Sequence, residues 1–206
     1  MTLVRLLRNK LIDLTFDPLN KVKTSKIEDP NRLLSADDLK YASLAGPTMA
    51  RPFLRFLNEN NFSRDGYFVD YGSGKGRAMI LAAKAGFTRI KGIELVEAWL
   101  NISKRNLLSV KDKLVDSQLY CMNARDYDPK PEDQFFYFFD PFTDEVLLTC
   151  LEKITRSLEE NPRSMAVVIH HNYRQDWSQV EATLGDAFKF SHQKVLGENY
   201  FVWRSI

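Results

Sequence analysis

The residues best suited to chemistry in this sequence are two acids and a run of alternating glycines. Asp70 stands two positions before Gly72, and Gly74 and Gly76 follow in alternation, with Ser73 and Lys75 between them. The whole chain has only 9 glycines in 206 residues, so three within five positions exceed what a simple chain reversal needs. A glycine-rich turn between a strand and a helix leaves backbone N–H groups open to a ligand and lets the main chain approach it closely. The spacing is not that of a Walker phosphate loop, because Gly74-Lys75 is followed by Gly76 and not by Ser or Thr. Nor is it the dinucleotide fingerprint, which needs glycine where this chain has Arg77. An acid just before the first glycine repels a pyrophosphate and attracts a cation. Glu94 closes the next apolar stretch, 22 residues after Gly72, where a carboxylate can accept bonds from ribose hydroxyls.

A ligand with a cationic end, a ribose and no phosphate satisfies both acids. S-adenosylmethionine, which carries an ammonium and a sulfonium, is such a ligand. Two further polar clusters follow later strands. Asp140-Pro141-Phe142 ends the apolar run from Phe135 to Phe139. Asp140 there is able to orient an amine and ease loss of its proton, which a lysine amine with an ordinary pKa near 10.4 must shed before it attacks. The other cluster is His170-His171-Asn172. Adjacent histidines point in different directions, which argues against a two-histidine metal site and leaves His171 as a candidate lining residue of an acceptor pocket. Nothing in the sequence calls for a metal.

These residues need elements to position them. Apolar strand patterns run from Tyr67 to Tyr71, Ile90 to Leu95, Gln118 to Met122, Gln134 to Phe139 and Met165 to His170. Helical patterns lie between them, and Pro47 to Leu57 reads as a helix before the first strand. Strands alternating with helices, several apolar on both faces, predict an α/β fold: a Rossmann-like, open, mostly parallel seven-stranded sheet with helices on both faces. The last two strands, 189–195 and 200–204, have no helix between them and are expected to form a C-terminal antiparallel hairpin turning at Gly197-Glu198-Asn199. Residues 1–16 carry Val4, Leu7, Leu11 and Leu14 at helical spacing, and Pro18 and Pro30 fall in a mixed-charge stretch after them. Residues 1–40 are therefore read as a helical arm and 41–206 as the domain.

At this point the sequence resembles a known superfamily. "VDYGSGKGR" is similar to the first motif of class I S-adenosylmethionine-dependent methyltransferases and "GIEL" to the second. "YCMNARDY" resembles the stretch after their third strand, and "FFDPF" the motif ending the fourth. G-S-G-K-G-R with Gly46-Pro47-Thr48 before it is similar to a bacterial subgroup with poorly defined substrates; "AAKAGF" and "IELVEAWL" resemble small lysine methyltransferases. The resemblance implies that Asp70 lies near the cofactor's ammonium and that Gly72, Ser73, Gly74 and Gly76 cradle its amino acid. Glu94 would hold the ribose, with Leu95 beside it a further cofactor-binding residue, and Asn123 and Ala124 would stand at the adenine-contacting position. Asp140 would be the catalytic residue, with Pro141, Phe142 and His171 meeting the acceptor. Arg77 is open between contact with the cofactor and pairing with Asp70 or Glu94.

Composition narrows the rest. Hydrophobic residues make up 44% and charged residues 27%, and the net charge of +2 gives no electrostatic case for a nucleic-acid partner. A protein or small-molecule acceptor, methylated at nitrogen, is therefore expected over RNA, and a non-catalytic cofactor-binding partner is the rival reading. Cys121 and Cys150 form no CxxC pair. No apolar run is long enough to cross a bilayer, and Arg5, Arg8 and Lys10 interrupt the N-terminal stripe, so a cytoplasmic setting is expected.

Overall fold

The computed structural model describes residues 13–26, 33, 46–140, 142–170 and 176–206. Seven strands form one sheet: β1 (Tyr67–Tyr71), β2 (Arg89–Glu94), β3 (Asp116–Cys121), β4 (Asp133–Phe139), β5 (Ala166–His170), β6 (Phe188–Val195) and β7 (Glu198–Ser205). Their spatial order is β3-β2-β1-β4-β5-β7-β6. The first five run parallel, and β7 pairs antiparallel with both β5 and β6. The helices are α1 (Ala50–Glu59), α2 (Arg77–Lys84), α3 (Glu97–Leu107), α4 (Asp144–Glu160) and α5 (Ser178–Leu184), with a further helical segment at 13–20 before them. This is the expected open sheet with its C-terminal hairpin.

The period-two pattern of β4 explains how the sheet is covered. Phe135 and Tyr137 enter one core with Phe53, Phe56 and Leu57 of α1, while Phe136 and Phe138 enter the other with Leu147, Leu151 and Ile154 of α4. These four residues are essentially sealed from solvent, as a central strand covered on both faces requires, while Phe139 after them is partly buried. They are core, not a stacking surface. The hairpin is tighter than expected, and β7 starts two residues earlier: Val195 faces Glu198, and Leu196 and Gly197 form the turn at φ 53° and 101°. Positive φ at both central residues is the geometry whose twist matches the flanking strands, and Glu198 and Asn199 are thereby freed to join β7. The N-terminal helix also differs from its expected bounds, since helical backbone continues from residue 13 to 20 across Pro18.

Sheet order changes direction beside β1: β2 and β3 lie on one side of it and β4 on the other. Adjacent loops leave the sheet toward opposite faces at such a point, and a crevice opens at the carboxyl ends of the strands. The same order aligns the singled-out residues along that edge, with Asn123 after β3, Glu94 ending β2, the glycine loop after β1 and Asp140 after β4. Strand spacing of about 4.8 Å puts roughly 14 Å between the β3 and β4 ends. That length suits an extended ligand.

Candidate functional site

The loop after β1 is built around left-handed backbone. Gly72, Gly74 and Gly76 have φ of 79°, 51° and 88°, values that cost a side-chain-bearing residue strain. The three differ in what surrounds them. A Cβ on Gly76 would stand 2.5 Å from Ser103 Oγ, so this glycine lets α2 pack on α3. A Cβ on Gly72 would meet the Phe142 ring at 3.1 Å. A Cβ on Gly74 would meet nothing within 4 Å, so the loop faces open space on that side. The N–H groups of Gly72 and Ser73 both donate to the Ile93 carbonyl at 2.9 Å, which ties the loop to β2. Ser73 Oγ is buried without a hydrogen-bond partner.

Glu94 locks the two loops together. Its Oε2 accepts the Gly74 N–H at 2.7 Å and its Oε1 accepts the Val96 N–H at 2.8 Å. Burial raises its pKa, and the backbone donors, Val96 foremost, pull it back down. A carboxylate offers about four acceptor positions, so each oxygen keeps capacity for a hydroxyl. Asp70 lies one strand away and is 3% exposed. Among the described residues none donates to its carboxyl group. Desolvation, and then the charge of Glu94, push its pKa up to about 8.

Asp70 lines a crevice of about 510 Å³, a space that includes part of the open solvent at its mouth. Gly72, Ser73, Gly74 and Lys75 line it, as do Gly46, Pro47, Thr48 and Phe139, and Thr24, Lys26 and Trp99 line it together with Arg77 and Ala78 of α2. Sequence reasoning missed the second group and Thr24, Lys26 and Trp99. Gly46-Pro47-Thr48 carried a signal only through its likeness to a subgroup, Trp99 was legible only as a helix residue, and Thr24 and Lys26 gave none.

Leu95 and Ala124 fall at the ends of β2 and β3, with Ala124 buried and Leu95 partly so. Asn123 caps the short turn after β3, its side-chain oxygen accepting the Arg125 N–H at 3.2 Å. On the other side of the loop, Asp140 is half-buried with φ of 42°. Left-handed backbone is uncommon at a non-glycine residue and concentrates at functional sites. The Asp140 N–H donates to the His170 carbonyl at 3.0 Å, which fixes the end of β4 to β5. Phe142 is partly buried and stands over Gly72, between the glycine loop and the β4 end. Pro141 and His171, and Asn172 beside it, lie outside the described residues.

Two singled-out residues have partners that the sequence did not suggest. Arg77 does not pair with Asp70 or Glu94. It is 3% exposed and meets Asp13 at 3.1 Å and Asp17 at 3.2 Å. His170 is fully buried, its Nδ1 3.0 Å from the Tyr137 hydroxyl and its Nε2 3.0 Å from Glu198 Oε2, with Tyr137 in turn 3.3 Å from Thr48 Oγ1. It thus belongs to an interior polar chain across β4, β5 and β7. Among the described residues no group of His, Cys, Asp or Glu is arranged to hold a metal ion, and no helix is long and apolar enough to cross a membrane.

No protein-family model matches the sequence, and no curated protein matches it significantly. Solved structures do match in fold. An S-adenosylmethionine-dependent methyltransferase from Aquifex aeolicus aligns with a TM-score of 0.57 at 16% identity, over 87% of this chain and 99% of that one. The pyocyanin biosynthetic protein PhzM aligns at 0.56 and 16% identity over 75% of this chain, which spans 54% of PhzM. An RNA methyltransferase from Salinibacter ruber, in complex with S-adenosylhomocysteine, aligns at 0.51 and 17% identity, over 75% and 91% of the two chains. The fold is that of the class I methyltransferases.

Proposed function

We propose that this protein is a methyltransferase that binds S-adenosylmethionine along the β3-to-β4 edge and methylates a nitrogen of a protein or small-molecule acceptor. One observation carries the reading above all. Asp70 is a buried carboxyl group to which none of the described residues donates, lining a crevice at the topological switch point. A buried charge without a partner is costly, so such a group calls for a cationic ligand. An ammonium group fits it, the open side of Gly74 admits a ligand's main body, and the unpartnered Ser73 Oγ offers a further polar contact. Glu94, already locked by two N–H groups, presents its remaining lone pairs to the ribose, and Asn123 and Ala124 bound the adenine end.

When bound, the cofactor supplies a methyl group on a sulfonium centre open to displacement. The protein's work is then to place the acceptor in line with that methyl and to set its protonation state. Asp140 holds an incoming amine at the end of β4 and accepts its proton or orients its lone pair. Phe142, above Gly72, covers the path between acceptor and loop. Neighbours of the same fold include a protein of pyocyanin biosynthesis and an RNA methyltransferase, so fold does not separate the acceptor classes. The net charge of +2 favours protein or small molecule.

Radiolabelled S-adenosylmethionine incubated with the protein and a fractionated lysate tests this directly. Label is expected in protein or small molecules; label in RNA would overturn the acceptor assignment, and cofactor binding without any transfer would favour a non-catalytic partner. On the acceptor found, Asp140→Ala is expected to lower the transfer rate by about 10²-fold or more with cofactor affinity little changed. Full activity in that variant would reduce Asp140 to a turn residue.

A further inference from the structure

Four polar side chains run in line from β7 to the crevice. Glu198 Oε2 lies 3.0 Å from His170 Nε2, His170 Nδ1 lies 3.0 Å from the Tyr137 hydroxyl, and that hydroxyl lies 3.3 Å from Thr48 Oγ1. His170, Tyr137 and Thr48 are all buried, and Thr48 lines the crevice. Rings hold the chain in place: His170 stands 4.4 Å from Tyr200 and 4.6 Å from Phe139, and Tyr137 stands 4.4 Å from Phe53, centroid to centroid.

Such a chain has a direction. An ionised carboxylate only accepts, so Glu198 draws the hydrogen of a neutral His170 onto Nε2 and leaves Nδ1 to accept. Tyr137 then donates to Nδ1. Burial above all holds its phenol well above its ordinary pKa, so the hydrogen is in place. The Tyr137 oxygen is left to accept from Thr48, which commits the single hydrogen of that hydroxyl. Among the described residues Tyr137 is the one hydrogen-bond partner of the Thr48 hydroxyl. Its remaining lone pair is therefore an acceptor, at a crevice also lined by Asp70, the register partner of Tyr137 on β1.

Position decides what that acceptor meets. Thr48 stands against the end of β4: Phe139 lines the same crevice, and a Cβ on Gly46 would lie 3.9 Å from its ring. Asp140 follows Phe139, and its N–H is tied to the carbonyl of the same His170. An amine attacking a methyl carbon in line aims its lone pair at that carbon and turns its N–H bonds away, so it needs acceptors behind it. Asp140 supplies one on the proposed reading.

We propose that Thr48 Oγ1 accepts a second N–H of the acceptor amine, with Tyr137 and His170 as positioning residues that fix Thr48 as an acceptor. This rests on the methyltransferase reading above and narrows its acceptor to a group with two N–H bonds on the attacking nitrogen, as a lysine side chain has. In the transfer the N–C bond forms as the C–S bond breaks with its electron pair left on sulfur. The nitrogen sheds one proton to Asp140, and the N–H that remains stays on Thr48.

Calorimetry on the full chain with two inhibitors tests it. S-adenosylhomocysteine has a bare thioether at the reacting centre, whereas sinefungin carries an amino group in the place of the transferred methyl. Both share the amino-acid end, the ribose and the adenine. The wild type is expected to bind sinefungin more tightly. Thr48→Val keeps the shape and removes the acceptor; it should weaken sinefungin about tenfold, the low end for a bond to a charged group, and leave S-adenosylhomocysteine unchanged. Tyr137→Phe frees the Thr48 hydrogen and should cut the same preference about threefold, while Thr48→Ser should keep it. Equal binding of both inhibitors by the wild type, an unchanged preference in Thr48→Val, or an equal loss of both in either variant would overturn the assignment and leave the methyltransferase reading standing. A wild type that binds neither inhibitor would overturn both.

Discussion

Asp70, one residue before the end of β1, and Glu94, which ends the neighbouring β2, are both nearly sealed from solvent, at 3% and 6% exposure. Their surroundings differ completely. Glu94 receives a backbone N–H on each oxygen, so much of its desolvation is offset within the protein. Asp70 receives none from the described residues, and burial, then the charge of Glu94, push its pKa up to about 8. On the proposed reading, the difference separates a carboxylate that shapes the loops from one that meets a ligand's charge. Glu94 closes the loop into shape before anything binds; Asp70 leaves an unmet demand for positive charge in the crevice. A protein carries such a cost only where something else meets it.

The largest expected effect tests the structural half of this contrast. Glu94→Ala strands the N–H groups of Gly74 and Val96, and each unpaired buried donor costs about 1–3 kcal/mol. Unfolding stability should fall by about 2–5 kcal/mol in a urea melt, and cofactor affinity should drop as well. If stability is unchanged, the loop is held by its ties to the Ile93 carbonyl alone. A smaller loss is expected from Asp70→Asn, which removes the charge and keeps the shape. S-adenosylmethionine affinity should fall by about 1.5–3 kcal/mol, the scale of a bond to a charged group, while the fold stays intact. A variant that binds as tightly as wild type would mean that the ammonium docks elsewhere.

The smallest effect is a slope against pH. The folded pKa of Asp70 lies above its ordinary value of 3.8, so the folded state holds this proton more tightly than the unfolded chain. The contribution favours folding at low pH and is lost as pH rises from about 4 to about 8. Asp70→Asn should therefore gain stability relative to wild type across that window, and the two should converge below about pH 4. Binding an ammonium beside Asp70 must expel its proton, so wild-type affinity should rise by at most about tenfold per unit between about pH 6 and 7.5. Above that range a ligand's own α-ammonium begins to deprotonate, near about 7.7–8.0. Proton release measured in buffers of different ionisation enthalpy should be absent in Asp70→Asn; its persistence there would place the titrating group elsewhere.

Much of the sheet was legible because its signals are local. A central strand such as β4 must be apolar on both faces, and 135–139 showed that directly. The glycine spacing after β1 likewise announced a loop with positive φ. The hairpin turn was misplaced because Leu196, with φ of 53°, carries no mark of a turn residue, whereas Gly197-Glu198-Asn199 does. Arg77 was misjudged for another reason. Its candidate acids were sought nearby in the sequence, while its partners lie 64 and 60 positions away.

By itself, then, the sequence determined the order of strands and helices, the glycine loop, and the two acids near the ends of neighbouring strands, since periodicity and φ requirements are written residue by residue. Only the tertiary structure decided what each acid does. Whether a carboxylate is satisfied depends on which N–H groups the fold brings to within 3 Å of it, and Asp70 and Glu94 look alike until the loops close around them. The same holds for the 13–26 segment. Its acids read as ordinary surface charge in sequence, and they become a clamp only because Arg77, buried at the start of α2, leaves the interior nowhere else to place its charge.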